Sequence, residues 1–141
     1  MSSGPLTESE LSTLSTKAIA AKEASYCPYS KFRVGASLLT EDGKYFIGAN
    51  VENASYPVGI CAEKCVVGTA VAAGYRKFKA IAVATDISPP ATPCGNCRQF
   101  IREFCAPSVP IYMYDKDGNF VVQTIGELLP GAFGPSDMTH C

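Results

Sequence analysis

Apolar residues recur at helical spacing near the start of the chain, at Leu11, Leu14, Ala18 and Ala21, which predicts a helix from Thr7 to about Tyr26. Thr7 and Glu10 have the spacing of a capping box, with Leu6 and Leu11 placed as its hydrophobic staple. Pro28 stops the helix. From Phe32 to Thr40 the pattern becomes alternation, with Phe32, Val34, Ala36 and Leu38 on one face and smaller or polar residues on the other. That predicts a strand, and Glu41-Asp42-Gly43-Lys44 carries the Asp-Gly signal of a tight hairpin that returns through Tyr45 to Val51. Gly48 in the return strand marks a bulge or a close approach of backbone.

After a loop from Asn53 to Ile60, a second helix begins near Cys61, carries Val66, Val67, Ala70, Val71 and Ala73, and ends at Gly74. The continuous run Ala80-Ile81-Ala82-Val83-Ala84 reads as a strand covered on both faces. Asp86 to Pro93 is a proline-rich loop, and Cys94 to Cys105 reads as a third helix with Phe100, Ile101 and Phe104 on its apolar face. Strands at Val109–Tyr114 and Phe120–Thr124 flank a turn at residues 115–119, which lacks the length and closing glutamate of a calcium loop. A short helix ends at Leu128-Leu129-Pro130, and Gly131 onward is a tail. This order predicts an α/β fold, a three-layer αβα sandwich. Its five-stranded mixed sheet would have an early antiparallel hairpin, mainly parallel later strands and helices on both faces. A single domain over 1–141 is expected, with flexible ends at about 1–6 and 136–141.

Composition narrows the class. Hydrophobic residues make up 47% and charged residues 18% of the 141, as in a globular chain. The net charge is −1, with Lys and Arg scattered, so no surface for tracking phosphates is expected and nucleic acid is not an obligatory partner. No apolar run reaches the roughly 18 residues of a membrane span. Seven cysteines without an apolar leader segment read as reduced thiols in a cytoplasmic protein rather than a secreted disulfide scaffold. Of these, Cys27, Cys65, Cys105 and Cys141 read as small apolar fillers or spare thiols.

The candidate chemistry lies in Cys61-Ala62-Glu63 and Pro93-Cys94-Gly95-Asn96-Cys97. Cys94 and Cys97 stand three apart at a helix start, and Cys61 stands at another. Helix N-termini favour thiolates. Three thiolates hold zinc in a tetrahedron with the fourth position left for water, and Glu63, two residues past a ligand, can serve as the proton carrier. A redox pair has little use for Cys61 and Glu63, and a structural zinc needs a fourth ligand. The sole histidine, His140, reads as a surface residue near the chain end. Three thiolates on Zn²⁺ sum to −1, and ionised Glu63 makes −2. Lys64 and Arg98, each directly after a site residue, are therefore candidates for offsetting that charge, with plain surface solvation the alternative.

Glu-containing Cys-x-Glu followed by Pro-Cys-x-x-Cys is itself a described signature of zinc deaminases. With Tyr26-Cys27-Pro28-Tyr29-Ser30, Asn50-Val51-Glu52-Asn53 and Leu128-Leu129-Pro130-Gly131-Ala132-Phe133, the chain resembles the small, nucleoside-acting cytidine deaminases over nearly its whole length. The resemblance implies hydrolysis of the 4-amino group of cytidine and deoxycytidine, giving uridine and deoxyuridine in pyrimidine salvage. It implies one zinc per subunit on Cys61, Cys94 and Cys97, and a homotetramer with active sites at subunit contacts. Asn50 and Glu52 would hold the ribose 3′-hydroxyl. Phe32 and the Ala54 backbone would border the base and Ala62 would be a further substrate-binding residue, with the Thr92 carbonyl on the path of departing ammonia. Phe133 would cover the base from a neighbouring subunit, and Tyr56 would lie at the subunit contact. Lys64 departs from the arginine usual in that family. The competing readings are a deaminase of another cytosine-like nucleoside or base, and a non-catalytic zinc-binding module.

Overall fold

A computed structural model describes residues 5–138. The sequence expectations for residues 1–4, His140 and Cys141 lie outside the described residues. Helix α1 (Glu8–Ala21) starts at Thr7, whose hydroxyl accepts the Glu10 N–H at 3.0 Å while the Glu10 carboxylate accepts the Thr7 N–H at 3.0 Å. This is the capping box that the sequence predicts. The α-helix ends at Ala21, short of Tyr26, and the chain continues as one 3-10 turn over Lys22–Ala24.

Strands β1 (Val34–Thr40) and β2 (Tyr45–Ala49) form the expected hairpin, with Gly43 at φ 98° in its turn. Helix α2 (Ala62–Ala72) closes with Gly74 at φ 102°. The Gly74 N–H reaches the Val71 carbonyl at 3.0 Å and the Tyr75 N–H reaches that of Ala70 at 3.0 Å, the paired bonds of a Schellman cap. Then follow β3 (Phe78–Thr85), α3 (Gly95–Phe104), β4 (Pro110–Tyr114), β5 (Phe120–Thr124) and the short helices α4 (Ile125–Leu128) and α5 (Pro135–Met138).

The sheet order is β2-β1-β3-β4-β5. It is mixed, as expected, but not mainly parallel after the hairpin. Only β3 with β4 is parallel, joined by the α3 crossover, while β1–β3 and β4–β5 are antiparallel. For β4–β5 the reason is connection length: the five-residue turn at 115–119 permits only a hairpin, since a parallel return needs a crossover of a dozen or more residues. For β1–β3 it is strand order: the α2 crossover makes β3 parallel to β2, but β1 lies between them and is the strand that β3 pairs with.

The sheet separates two apolar cores. On one face Leu38, Ile81 and Met113 pack with Val66, Val67 and Ile101 of α2 and α3. On the other, Leu39, Ala80, Ala82 and Tyr114 pack with Leu14 and Ala18 of α1. The second face of β1, which reads as small or polar in sequence, is therefore buried too. A Cβ at Gly35 would stand 2.3 Å from the Ala18 carbonyl oxygen, so α1 lies directly on the β1 backbone. Gly48 does the same for α2, with the Val66 nitrogen 2.6 Å from its Cβ position. The close approach expected at Gly48 is present.

Candidate active site

The first turns of α2 and α3 meet on one side of the sheet. Cys61 and Cys94 are the N-cap residues of these helices, extended at φ −77° and −69°. Each backbone carbonyl accepts the first helical bond, from Cys65 N at 3.0 Å and Arg98 N at 2.9 Å. Neither sulfur caps its own helix, so both are free to face outward from the positive ends of the helix dipoles. Cys97 follows one turn into α3 and is buried. The three sulfurs lie within 4.8 Å of one another. Zinc–sulfur bonds of about 2.3 Å in a tetrahedron place sulfurs about 3.8 Å apart, so the donor set fits one zinc ion with small adjustments. The thiols already share protons: the hydrogen bond from Cys97 draws the Cys61 thiol down to about 6, while the same bond and burial push Cys97 up.

Glu63, in the first turn of α2, is 6% exposed. Burial pushes its carboxyl up to about 7, and the neighbouring Cys61 adds to the rise. A carboxyl placed between its charged and neutral forms near neutrality is suited to taking and giving a proton.

These groups line a cavity of about 690 Å³. Phe32, Asn50, Glu52, Tyr56, Ala62 and Thr92 line it together with Glu63 and the three cysteines. Tyr29 and Tyr56, also in its lining, stand with ring centroids 5.8 Å apart. Among the polar lining groups, the Asn50 side chain accepts the Val34 N–H at 3.1 Å and donates to the Phe32 carbonyl at 2.8 Å, which leaves one donor and one lone pair for a ligand. Glu52 accepts the N–H groups of Tyr29 and Ser30 at 3.0 and 3.2 Å and the Ser30 hydroxyl. Ser30 thereby holds the carboxyl below its usual range. Sequence reasoning missed Ser30 as a partner of Glu52; its pattern shows only a proline-bearing loop, and the link spans 22 residues.

Ala54, Lys64, Arg98 and Phe133 stand outside the lining. Lys64 donates to the Asn96 side chain at 2.8 Å and lies 5.4 Å from the Phe100 ring centroid, joining the first turns of α2 and α3. Its charge contributes to lowering the Cys61 thiol. Arg98 directs its donors to the Pro93 and Leu128 carbonyls, at 2.7 and 2.6 Å, and to the Thr92 hydroxyl at 2.9 Å. It braces the loop before Cys94 through bonds to oxygens rather than sulfurs. Phe133 is 58% exposed in the single chain.

Residues 8–113 match the family model of the cytidine and deoxycytidylate deaminase zinc-binding region. A cytidine deaminase of Sporosarcina psychrophila is 48% identical over 120 residues, covering 85% of this chain and 88% of the relative. That of Halalkalibacterium halodurans is 46% identical over 122 residues, covering 86% and 92%. A crystal structure of a cytidine deaminase from Burkholderia pseudomallei superposes with a TM-score of 0.85 at 45% identity, covering 91% of this chain and all of that one.

Proposed function

Because the chain belongs to the cytidine and deoxycytidylate deaminase family, we propose that it removes the 4-amino group of cytidine and deoxycytidine by hydrolysis, in pyrimidine salvage, releasing uridine or deoxyuridine and ammonia. The observation that carries this reading is the buried Glu63 beside three clustered thiols in the lining of one cavity of about 690 Å³.

Cys61, Cys94 and Cys97 would hold one zinc ion, which when bound supplies Lewis acidity and a water of lowered pKa. The chain's own residues do the rest. Glu63 takes the proton from the attacking water, gives it to the base nitrogen beside the reacting carbon, and carries a proton to the departing ammonia. Its apolar burial keeps both protonation states accessible. Asn50 and Glu52, in the same lining, hold a sugar hydroxyl, Glu52 accepting its proton and Asn50 donating to its oxygen. Phe32 and Ala62 flank the planar base, with the Ala54 backbone beside it. Thr92 lines the way out for ammonia. Filling the cavity with the planar base expels water from around the Glu63 carboxyl and strengthens each of these interactions.

No helix among the described residues is long and apolar enough to cross a membrane, and a cytoplasmic workplace is part of the proposal. So is a homotetramer, supported by the exposure of Tyr56, Val58 and Phe133 at 73%, 65% and 58%. Phe133 of one subunit would then complete a neighbour's cavity, with Tyr56 at the contact.

The test is the fall in ultraviolet absorbance of cytidine on mixing with zinc-replete protein. Glu63→Ala should bind zinc as the native chain does while its turnover drops by about 10²–10⁴-fold. No absorbance change with the native protein sinks the reading, and near-native turnover by Glu63→Ala removes Glu63 from its role.

A further inference from the structure

The antiparallel ladder between β1 and β3 ends at the pair Val34 and Thr85. The next residues in that register are Arg33 and Asp86. They stand directly opposite each other beyond the last backbone rung. Their side chains supply the missing rung: Arg33 Nε donates to one Asp86 carboxylate oxygen at 2.8 Å and NH2 to the other at 3.2 Å. Alternation along the strands sends Phe32 and Val34 to the cavity side and Arg33 to the opposite face, where the C-terminal end of α1 lies. There Lys22, 7% exposed, donates to Asp86 at 2.8 Å and to the Thr85 carbonyl at 3.3 Å. Glu23 accepts from Arg33 at 3.0 Å.

This cluster lies behind the cavity and touches neither thiol nor Glu63. It ties together two neighbouring segments of the cavity lining. One carries Phe32 and Val34; the other carries Thr85 and leads through the 86–93 loop to Cys94. Without the rung, both segments run beyond the ladder with fewer backbone bonds between them. Lys22 has no comparable reason to be buried elsewhere, since an ammonium leaves water only where carbonyl and carboxylate oxygens replace it.

We propose that Asp86, gripped by Arg33 and Lys22, is a positioning residue that holds these two neighbouring walls of the cavity in register and so sets affinity for the nucleoside. The effect on affinity rests on the function proposed above; the effect on the walls does not. The geometry acts on binding rather than on the proton carrier, so KM should move and kcat should not.

Arg33→Ala is the direct test. The Arg33 side chain is 37% exposed, and pairs of this kind add little to stability, so the variant should stay folded with its zinc. Its KM for cytidine should rise about tenfold while kcat stays within about threefold. Arg33→Lys, which keeps the charge and loses the fork, should fall between the two proteins. Amide hydrogen exchange should quicken in residues 27–34 and 85–93 of Arg33→Ala and stay unchanged in α2. An unaltered KM, or exchange unchanged in both segments, overturns the proposal. So does a parallel loss of kcat, zinc and thermal stability, which would mark general destabilisation. If the native protein leaves cytidine untouched, the proposed function fails while hydrogen exchange still decides whether the rung holds the walls.

Discussion

Asp86 shows how one carboxylate can be read from its surroundings. The Arg33 hydrogen bonds, then that from Lys22, draw its carboxyl down to about 2, against about 3.9 in an unfolded chain. A carboxyl whose folded value is depressed stabilises the fold fully above the unfolded value and loses that contribution as pH falls through the folded one. The native protein should therefore be more stable than Asp86→Asn at pH 5, and the gap should narrow between about pH 4 and pH 2. Thermal unfolding of both proteins across that range reads the difference directly, because acid loss of zinc affects both alike. A gap that holds constant down to pH 2 would mean that Asp86 is not held as a charged group. The side chain is 38% exposed, so solvent screening keeps the effect modest. None of this is visible in sequence. Asp86 stands 53 residues from Arg33, and only the strand register makes them neighbours.

Elements were legible where their signals are local. The Thr7 capping box, the Asp-Gly hairpin, the Gly74 cap and the doubly covered run of β3 each depend on residues within one turn or one strand. What depends on partners was not legible. The antiparallel pairing of β1 with β3 follows from which strand enters the centre of the sheet, and no residue pattern states it. The exception is the second capping box, Thr124 with Glu127, which is as local as the first but opens α4 directly from the end of β5, with no loop to announce it. The two zinc half-motifs were legible because helix N-caps and ligand spacing are local; the link from Ser30 to Glu52 was not. Gly48 lies between these cases, since the sequence marks a close approach without naming what approaches. The structure names Val66 backbone atoms at 2.6 and 2.9 Å from the Cβ position. Backbone cannot rotate aside, so Gly48→Ala should cost about 1–3 kcal/mol and push α2, with Cys61 and Glu63 at its start, off the sheet. Gly68→Ala, in the same helix with nothing within 4 Å, should gain up to about 1 kcal/mol from helix propensity. Equal melting temperatures for the two variants would contradict the packing of α2 on β2.

At the scale of the whole molecule, the single chain buries its Glu63 and Cys97 and leaves large apolar side chains bare elsewhere. Glu63 and Cys97 are buried within the chain, whereas Tyr56, Val58 and Phe133 expose large apolar surface. Exposed apolar groups of that size suit burial against another copy. If Phe133 completes a neighbour's cavity, the two functions can be separated by subunit. Glu63→Ala chains would lack the proton carrier but still lend Phe133, and Phe133→Ala chains would lack the cover but keep their own Glu63. Each variant alone should be weak in cytidine turnover. After joint unfolding and zinc-replete refolding of equal amounts, a Phe133→Ala subunit beside a Glu63→Ala subunit regains a complete cavity, and random pairing makes about one quarter of all sites complete. Light scattering on the same sample gives the number of subunits. Activity that never exceeds the mean of the two variants would place Phe133 outside its neighbour's cavity, whatever the size of the assembly.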